Sequence, residues 1–343
     1  MFYRLLLNIF FAFLLLISII IYYMGIGNAG IFGVLSLMVP ILVFVNLVFM
    51  IDWVIRKNSR FLLSFITLTI SYFVFGSFFK LFGNNESAIG DLKILTYNTR
   101  SFNNNEAIKE PDIDKKIIKF VNDLDPDIIC FQEFYHIKQY DGNFKNYPYR
   151  FVDFNEEKPK GKIIQAIFSK HPILNEKVFE FKKSGNSAIA ANILINQDTI
   201  TVYNVHFESF GIVPDSEVLK NENSGRTLRK ITRTFIKQQE QSLQISNDIN
   251  LNKYQSVLCG DLNNTQFSSV YREVIGDFQD SFLETGHGFG KTFSLKGFPM
   301  RIDYILADNS FEFTSHTNYE VEYSDHFPVM ATLKLKSDKA TVD

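Results

Sequence analysis

The sequence predicts a domain of the α+β class, with one β-sheet packed on another and helices outside, preceded by three transmembrane helices. Two observations predict the sheets. Short apolar or alternating runs recur after residue 90, and few segments there have helical spacing. The third observation is that long apolar stretches fill the first 90 residues, which favours helices in a membrane.

The apolar stretches cover residues 5–24, 31–55 and 61–82. Each is near the ~20 residues that a helix needs to cross a bilayer. A cleaved signal peptide is the alternative for the first stretch, with Arg4 as its basic start. Against it, the run is longer than a usual signal core, and two further stretches follow. We therefore expect a membrane region at residues 1–82 with three transmembrane helices.

Positive charge in the short loops predicts the orientation of these helices. Arg56, Lys57 and Arg60 separate the second and third stretches, on the side of Arg4, whereas the first loop is uncharged. Lys80 lies at the opposite end and is the exception. The pattern predicts an integral, multi-pass membrane protein with an extracytoplasmic domain, on the periplasmic side in a bacterium.

The rest of the chain divides by composition into a linker at 83–90, one domain at 91–336 and a polar tail at 337–343. The residues after 90 include 30 basic and 35 acidic side chains, a net acidic balance. A domain that grips nucleic acid non-specifically usually has a strong basic excess, because neutralised phosphates supply most of the affinity. The charge therefore argues against such binding.

Runs rich in Ile, Val, Tyr and Phe, bounded by Asn, Asp or Gly, predict the strands of this domain. They cover residues 92–98, 127–132, 163–168, 189–195, 199–206, 255–260, 302–306 and 328–335. Helical spacing appears in 112–124 and in about 226–250. Many strands with few, separated helices favour two packed sheets covered by helices.

Polar side chains suited to chemistry stand at the ends of six strand-like runs. They are Asn98, Gln132 with Glu133, Asn204 with His206, Gly260 and Asp261 with Asn263, Asp303, and Ser324 with Asp325 and His326. The end of a sheet offers a rigid scaffold for side chains and an open cleft for substrate. We therefore expect one active site to be assembled from these six places.

Three of these side chains suit a metal. Asn98, Glu133 and Asp325 bear hard oxygen donors, which favour Mg²⁺ or Mn²⁺ over zinc. Magnesium keeps positions for water and phosphate oxygens, so it needs few protein ligands. The predicted cofactor is therefore Mg²⁺, or else Mn²⁺.

The remaining side chains suit attack at phosphorus. Asp261 can orient or deprotonate an attacking water, and Asn263 can donate to a phosphoryl oxygen. Asp303 can hold the ring of His326 in one tautomer, and His206 can donate a hydrogen bond or a proton to phosphate. Each residue alone has an ordinary structural explanation. The prediction depends on their occurrence together in one domain.

In their order and their gaps, these motifs resemble those of the endonuclease/exonuclease/phosphatase superfamily, in its deoxyribonuclease I-like form. The resemblance covers about residues 91–336. It implies a four-layer α/β/β/α sandwich and a Mg²⁺-dependent phosphoesterase. It also implies that Glu133 is the principal metal ligand, with Asn98 and Asp325 nearby.

The same resemblance implies that Asp261 and Asn263 handle water and phosphate, and that His326 is paired with Asp303. It leaves the general base shared between Asp261 and His326. Deoxyribonucleases and sphingomyelinases have a histidine at the motif position of His206, whereas enzymes like exonuclease III tend to have a tyrosine there. This difference, with the membrane stretches, argues against abasic-site repair.

A basic segment follows the run that ends at His206. Its Arg226, Arg229 and Arg233 form either a solvated helix face or a contact to an anionic substrate. The solvated face is the ordinary explanation, and our hypothesis is that these arginines bind substrate.

The function expected from the sequence is a membrane-anchored, metal-dependent hydrolase of phosphoester bonds. A lipid head group or small phosphoester is the favoured substrate, and nucleic acid is possible. Two alternatives stay open: an extracytoplasmic endonuclease or exonuclease, and a catalytically silent, membrane-tethered binding module. The filled chemical positions argue against the silent module, and the absence of charge in mid-span argues against transport.

Overall fold

The computed structural model describes residues 1–24, 31–83, 91–134, 142–154, 162–211, 224–295 and 297–336. The chain forms two compact units. The first, called the helical unit here, comprises Met1–Phe78, Phe210–Gln244 and Asn264–Val274. The second, called the sheet unit, comprises Phe79–Ser209, Ile245–Asn263 and Ile275–Asp343. Residues 84–90 of the predicted linker at 83–90 and the predicted tail at 337–343 lie outside the described residues, and the domain boundaries stay predictions.

Three apolar helices begin the helical unit: α1 (Phe2–Tyr23), α2 (Val34–Ile55) and α3 (Phe61–Phe75). By length and composition, α1 and α2 can each cross a membrane. The prediction of a third span at 61–82 differs from the structure, because α3 has only 15 residues. Its length is about 22 Å, less than the ~30 Å hydrocarbon core. The helix ends where Gly76 adopts a φ of 71°.

Buried polar side chains join the three helices. Asn8 of α1 donates to Ser64 Oγ of α3 at 2.6 Å and accepts from the Trp53 indole of α2 at 3.0 Å. Ser64 donates in turn to Asn46 Oδ1 at 3.3 Å. Hydrogen bonds between apolar helices constrain how the helices align, because a misaligned polar group would be buried without a partner.

The strands of the sheet unit follow in chain order. They are β1 (Leu92–Asn98), β2 (Ile128–Gln132), β3 (Tyr149–Val152), β4 (Ala166–Ser169), β5 (Ile173–Glu180), β6 (Ser187–Ile195), β7 (Asp198–His206), β8 (Gln255–Asp261), β9 (Gln279–Asp280), β10 (Phe293–Leu295), β11 (Phe298–Met300), β12 (Asp303–Ala307), β13 (Phe311–Asn318) and β14 (Val329–Leu335).

These strands form two large sheets and a small hairpin. The first sheet has the order β13-β14-β1-β2-β4-β3, and the second has the order β5-β6-β7-β8-β12-β9. Strands β1 and β2 are parallel, as are β7 and β8, and the other pairs are antiparallel. Strands β10 and β11 pair with each other, and Phe293 of β10 also forms a single antiparallel bridge with His326.

Apolar side chains of the two sheets meet in one buried core. Ile94 and Ile128 of the first sheet pack in it with Ile189 and Val257 of the second. At about 25 cal/mol per Å² of apolar surface, this burial is the main term that holds one sheet on the other.

Helices cover the outer faces of both sheets. Ile117 and Val121 of α4 (Ile113–Leu124) pack with Phe131 of the first sheet. The last turns of the long helix α5 (Ser224–Leu251) lie on the second sheet, where the Tyr203 hydroxyl donates to Asp248 at 3.0 Å. The predicted four-layer α/β/β/α sandwich is thus confirmed.

The eight predicted strands are present, with small shifts at their ends. Strands β3, β5, β9 and β13 were not predicted, and each lies at an edge of its sheet. Edge strands need less apolar surface, because one side faces no neighbour; most of β5, for example, is exposed. Their sequences therefore lack the apolar runs that mark the inner strands.

Candidate active site

The predicted site residues stand at strand ends that are paired in register. In the first sheet, Asn98 pairs with Gln132, and Glu133 follows directly. In the second sheet, Asp261 pairs with His206 on one side and with Asp303 on the other. The carboxyl ends of parallel strands meet at one edge of a sheet, and the antiparallel strand β12 begins at that same edge with Asp303, so each pair presents its polar residues together.

Hydrogen bonds between the sheets bring the two groups together. Asn98 donates to Asp261 Oδ2 at 3.1 Å. Beneath this contact, Gln132 donates to Asn204 Oδ1 at 2.7 Å, and Asn204 donates to the carbonyls of Phe131 and Ala166 at 2.8 and 3.0 Å. Gln132 and Asn204 thus hold the sheets together under the site.

The turn after β8, Asp261–Asn263, is tightly constrained. Asp261 Oδ1 accepts the Asn263 backbone N–H at 2.7 Å, and the Asn263 side chain donates to the Phe207 carbonyl at 3.0 Å. Gly260 precedes the turn with a φ of 132°, and a β-carbon there would lie 2.0 Å from the Val205 carbonyl oxygen. Only glycine fits that position without displacing β7.

The predicted pairing of Asp303 with His326 is present. Both carboxylate oxygens of Asp303 lie 3.0–3.1 Å from His326 Nδ1. Since a carboxylate only accepts, Nδ1 carries the hydrogen, and Nε2 lies 3.7 Å from Asp261 Oδ2. Burial alone would lower the pKa of His326, but the charges of Asp303 and Asp261 outweigh it and raise the pKa to about 10.

The pKa of Asp261 is also raised. Burial and the charge of Asp303 raise its pKa to about 8, although the cationic His326 offsets part of the rise. The carboxyl group therefore titrates near neutral pH, which suits a group that exchanges protons. The ligand atoms of Asp261, Asp303 and His326 lie within 4.8 Å of one another, a grouping that could hold a metal ion.

The residues predicted to bind the metal form a second, adjoining cluster. Asn98 Nδ2 lies 3.4 Å from Glu133 Oε1. Ser324 donates to the Asn98 carbonyl at 2.9 Å and to Asp325 Oδ1 at 3.3 Å, so Asp325 is tied to the same strand end. Burial, and then the charge of Asp325, raise the pKa of Glu133.

The donor chemistry of this cluster fits a divalent cation. The carboxylates of Glu133 and Asp325 supply hard oxygens and repel each other unless a cation lies between them. The Asn98 amide turns its Nδ2 towards Glu133, and its oxygen accepts the Arg100 backbone N–H at 3.1 Å. We prefer this cluster to the one around Asp303, because Asp303 is engaged with His326 Nδ1 and a cationic His326 is not a ligand.

His206 is completely buried between the two clusters. Its Nε2 lies 3.6 Å from Asp261 Oδ2 and 3.9 Å from Glu133 Oε1. Burial, and next the cationic His326, lower its pKa to about 3. A lowered pKa favours the neutral ring and so a role as a hydrogen-bond partner, and the role of His206 stays a prediction.

Two site residues were not predicted from the sequence. Arg100 forms an ion pair with Asp325 at 3.2 Å, and the Thr292 hydroxyl accepts the Asp303 backbone N–H at 3.1 Å. Arg100 stands two residues after Asn98, a weak signal; Thr292 had no local signal. Both were found only from contacts between distant parts of the chain.

The three arginines predicted to bind substrate lie on α5. Arg226, Arg229 and Arg233 are exposed and belong to the helical unit, unlike the site residues described above. Their role stays a prediction.

A family model described as "Endonuclease/Exonuclease/phosphatase family" matches residues 95–326. The chain belongs to this family. The match confirms the resemblance found in the motifs, since it spans every predicted metal and catalytic residue. Enzymes of the endonuclease/exonuclease/phosphatase family are hydrolytic phosphoesterases and nucleases that typically use divalent metals. A second model, a domain of unknown function, matches residues 1–78. A comparison with curated proteins finds no match.

Solved structures show the same fold. An endonuclease/exonuclease/phosphatase from Bacteroides vulgatus is 18% identical with a TM-score of 0.55, over 71% of this chain and 99% of that one. The one from Beutenbergia cavernae is 17% identical with a TM-score of 0.54, over 71% and 72%. The human Nocturnin catalytic domain, with bound sulfate, is 15% identical with a TM-score of 0.52, over 71% and 93%.

Proposed function

We propose that this family member is a membrane-tethered, divalent-metal-dependent phosphoesterase that hydrolyses its substrate by in-line attack of water. The observation behind the proposal is the juxtaposition of two clusters across the sheets. Asn98 of the oxygen-donor cluster donates directly to Asp261 of the acid–base cluster. A metal site beside a proton-transfer site is what hydrolysis at phosphorus requires.

Glu133, Asn98 and Asp325 would hold Mg²⁺ or Mn²⁺. When bound, such an ion polarises a phosphoryl oxygen and offsets charge in the transition state. Arg100, paired with Asp325 at 3.2 Å, adds a fixed positive charge beside these ligands.

The pKa values of Asp261 and His326 suggest their acid–base roles. A pKa near neutrality suits Asp261 as the general base for the attacking water. His326, kept cationic by Asp303, suits stabilisation of negative charge at phosphorus or protonation of the leaving group. Neutral His206 would donate a hydrogen bond to a phosphoryl oxygen. Asn263 would do the same by exchanging the bond that its amide donates to Asp261 Oδ2 at 3.2 Å. The two residues predicted to share the base role thus take different roles in this proposal.

The favoured substrate is a lipid head group or another small phosphoester. Helices α1 and α2 have the length and composition of membrane spans, which would keep the enzyme at a lipid surface. The net acidic charge of the residues after 90 disfavours non-specific binding to nucleic acid. We retain the extracytoplasmic placement of the sheet unit as part of the proposal.

The test uses the full chain in detergent, because residues 210–244 and 264–274 form one unit with the apolar helices. Hydrolysis of bis-p-nitrophenyl phosphate, plasmid DNA, phosphoinositides and sphingomyelin is measured with Mg²⁺, Mn²⁺ or EDTA. Glu133→Gln and His326→Gln serve as blanks of nearly unchanged shape. Metal-dependent activity that both variants lose supports the proposal, and the preferred substrate identifies the class.

Two outcomes point elsewhere. Cleavage of plasmid DNA that falls steeply with salt would favour the nuclease, because phosphate contacts release counterions. A folded chain that binds no metal in calorimetry and cleaves nothing would favour the silent binding module.

A further inference from the structure

Within the helical unit, the first turns of α5 carry basic side chains on one face. Arg229, Lys230, Arg233 and Lys237 lie three, four, seven and eleven residues after Arg226, a spacing that places all five on the same side of a helix. The sequence from 224 to 239 contains no acidic residue. These five side chains are called the basic face here.

The three arginines of the basic face are open to solvent. Arg226, Arg229 and Arg233 are exposed, and none of them forms an ion pair with a residue that the structure describes. Their positive charge is therefore available to an anionic partner outside the described part of the chain.

The opposite side of α5 packs at the amino-terminal end of α2. Phe235 is completely buried, and its ring lies so close to Gly33 that a β-carbon added there would be 2.7 Å from it. The ring of Phe210 lies 6.4 Å from that of Phe235. Because Gly33 directly precedes α2, these contacts place α5 at the end of the apolar bundle where α2 begins.

The carboxyl ends of α1 and α3 meet at the same end of the bundle. The rings of Tyr22 of α1 and Phe75 of α3 lie 5.2 Å apart, and Leu35 at the start of α2 packs in the same cluster. Gln266 donates to the Phe75 carbonyl at 2.9 Å, and the Phe267 ring lies 5.5 Å from that of Phe75. Residues from the later part of the chain thus cover this end.

A short helix, α6 (Ser269–Ile275), connects α5 with the end of α1. Gln239 of α5 donates to Ser269 Oγ at 2.9 Å. The Arg272 guanidinium of α6 lies 4.5 Å from the ring of the exposed Tyr23, the last residue of α1. A tyrosine beside a basic side chain at the end of an apolar helix is typical of the level where lipid head groups lie.

The length of α1 agrees with a membrane surface at this level. Its 22 residues span about 33 Å, close to the ~30 Å hydrocarbon core. At its other end Arg4 pairs with Asp52 of α2 at 3.3 Å, and Arg56 pairs with the same carboxylate at 3.0 Å. Charged side chains therefore stand at both ends of the apolar length, and the basic face belongs to the end with Tyr23.

We propose that the basic face of α5 binds the anionic head groups of membrane lipids at this surface. This role rests on the membrane placement in the proposed function, and it does not depend on the hydrolytic chemistry. The planar donors of arginine suit phosphate oxygens. The attraction of basic side chains to an anionic surface decays within a Debye length, so a position beside the ends of the spans is what such binding requires.

The test places the full chain in nanodiscs of phosphatidylcholine, or in nanodiscs where phosphatidylglycerol replaces a third of that lipid. Amide hydrogen exchange in peptides that cover residues 224–239 is expected to be about fivefold slower with phosphatidylglycerol, because bound lipid suppresses local opening. Exchange in α4 is expected to be the same in both. High salt should remove the difference, since exposed charges are screened.

The decisive variant is Arg226→Gln/Arg229→Gln/Arg233→Gln, which is expected to show equal exchange in the two kinds of nanodisc. Equal exchange in wild type, or a difference that persists in this variant, would overturn the proposal. Inorganic phosphate added to phosphatidylcholine nanodiscs is expected to give no protection. Protection by phosphate without an effect of phosphatidylglycerol would indicate a soluble anion and would also overturn it.

A matched control removes three positive charges from α4. Lys115 and Lys119 of that helix are exposed and paired with Asp112 and Asp123. Lys115→Gln/Lys116→Gln/Lys119→Gln is expected to keep the fivefold difference in α5, because the charges that it removes lie outside the basic face. Loss of the difference in this control would mean that net charge alone controls the exchange and would refute the assignment.

These measurements need no substrate, so they separate this inference from the proposed function. Lipid-dependent protection in a chain that hydrolyses nothing would support the lipid contact and count against the phosphoesterase. Hydrolysis without such protection would refute the lipid contact alone. A chain that does not enter nanodiscs would contradict both the membrane placement and the lipid contact.

Discussion

Replacing Asp303 by Asn tests whether the buried carboxylate sets the charge of His326. The substitution keeps the size of the side chain and removes its negative charge. In the structure both oxygens of Asp303 lie 3.0–3.1 Å from His326 Nδ1, and both side chains are almost fully buried. Solvent therefore screens the interaction very little.

The size of the effect follows from the pKa of His326. Its rise from 6.5 to about 10 occurs although burial acts against it. At about 1.4 kcal/mol per pKa unit, this corresponds to about 5 kcal/mol in favour of the protonated ring. Asp303 contributes most to the rise, so the pKa of His326 in Asp303→Asn is expected to fall towards its ordinary value.

The raised pKa of His326 also predicts how the stability of the fold depends on pH. A histidine with a raised pKa stabilises the folded chain fully below pH 6.5, and this contribution disappears as the pH rises through about 10. Asp303→Asn should therefore melt at a lower temperature than wild type at pH 6, and the difference should shrink above pH 10. The exposed Asp123→Asn is the control and should show no such trend.

The assay combines kinetics with NMR. Loss of the oriented cation should reduce kcat on bis-p-nitrophenyl phosphate by about 10²–10⁴. Wild type has six histidines, and one should stay protonated at pH 8.5 and vanish from the spectrum of His326→Gln. If Asp303→Asn keeps that protonated ring and retains kcat within about threefold, the reasoning about this pair is refuted.

Three further predictions concern the turn, the link between the sheets and the metal. Gly260→Ala should reduce the free energy of unfolding by about 2–4 kcal/mol, because its β-carbon would collide with the Val205 carbonyl. Gly276→Ala is the control and should cost about 1 kcal/mol, since φ is 43° there but no atom lies within 4 Å of the added β-carbon. Asn204→Ala should cost about 3–5 kcal/mol in chemical denaturation, because it removes two buried hydrogen bonds to backbone carbonyls and the one that Asn204 accepts from Gln132. Mg²⁺ binding by calorimetry should strengthen from pH 5 to pH 7.5, because the raised pKa of Glu133 makes protons compete with the ion, and Glu133→Gln should abolish this dependence. Equal affinity at both pH values would contradict the assignment.

The inner strands of both sheets could be predicted because their burial on both faces requires a mainly apolar sequence. Strands buried on two faces need continuous apolar runs, as in Ile128–Gln132, which is buried throughout. The edge strands could not be predicted, since their main-chain pairing with one neighbour imposes little on the side chains. Pairing partners and register depend on residues that are far apart in the chain.

The candidate site was predictable in its membership and only partly in its arrangement. Chemically competent residues at six strand ends, in one order, are a local signal. The charges of these residues are not local. His206 and His326 are the same residue type, yet the pKa of the first is lowered to about 3 and that of the second is raised to about 10. The difference arises because Asp303 faces only the second ring.

By itself, the sequence determined the apolar helices, the inner strands and the set of chemical side chains, because each depends on neighbours along the chain. The tertiary structure decided where α3 ends, how Arg100 meets Asp325 and why the pKa values of His206 and His326 differ. It also decided that Gln266 and Phe267 bind the apolar helices instead of the sheets. Such contacts join residues separated by long stretches of chain, and only the folded backbone brings them within bonding distance.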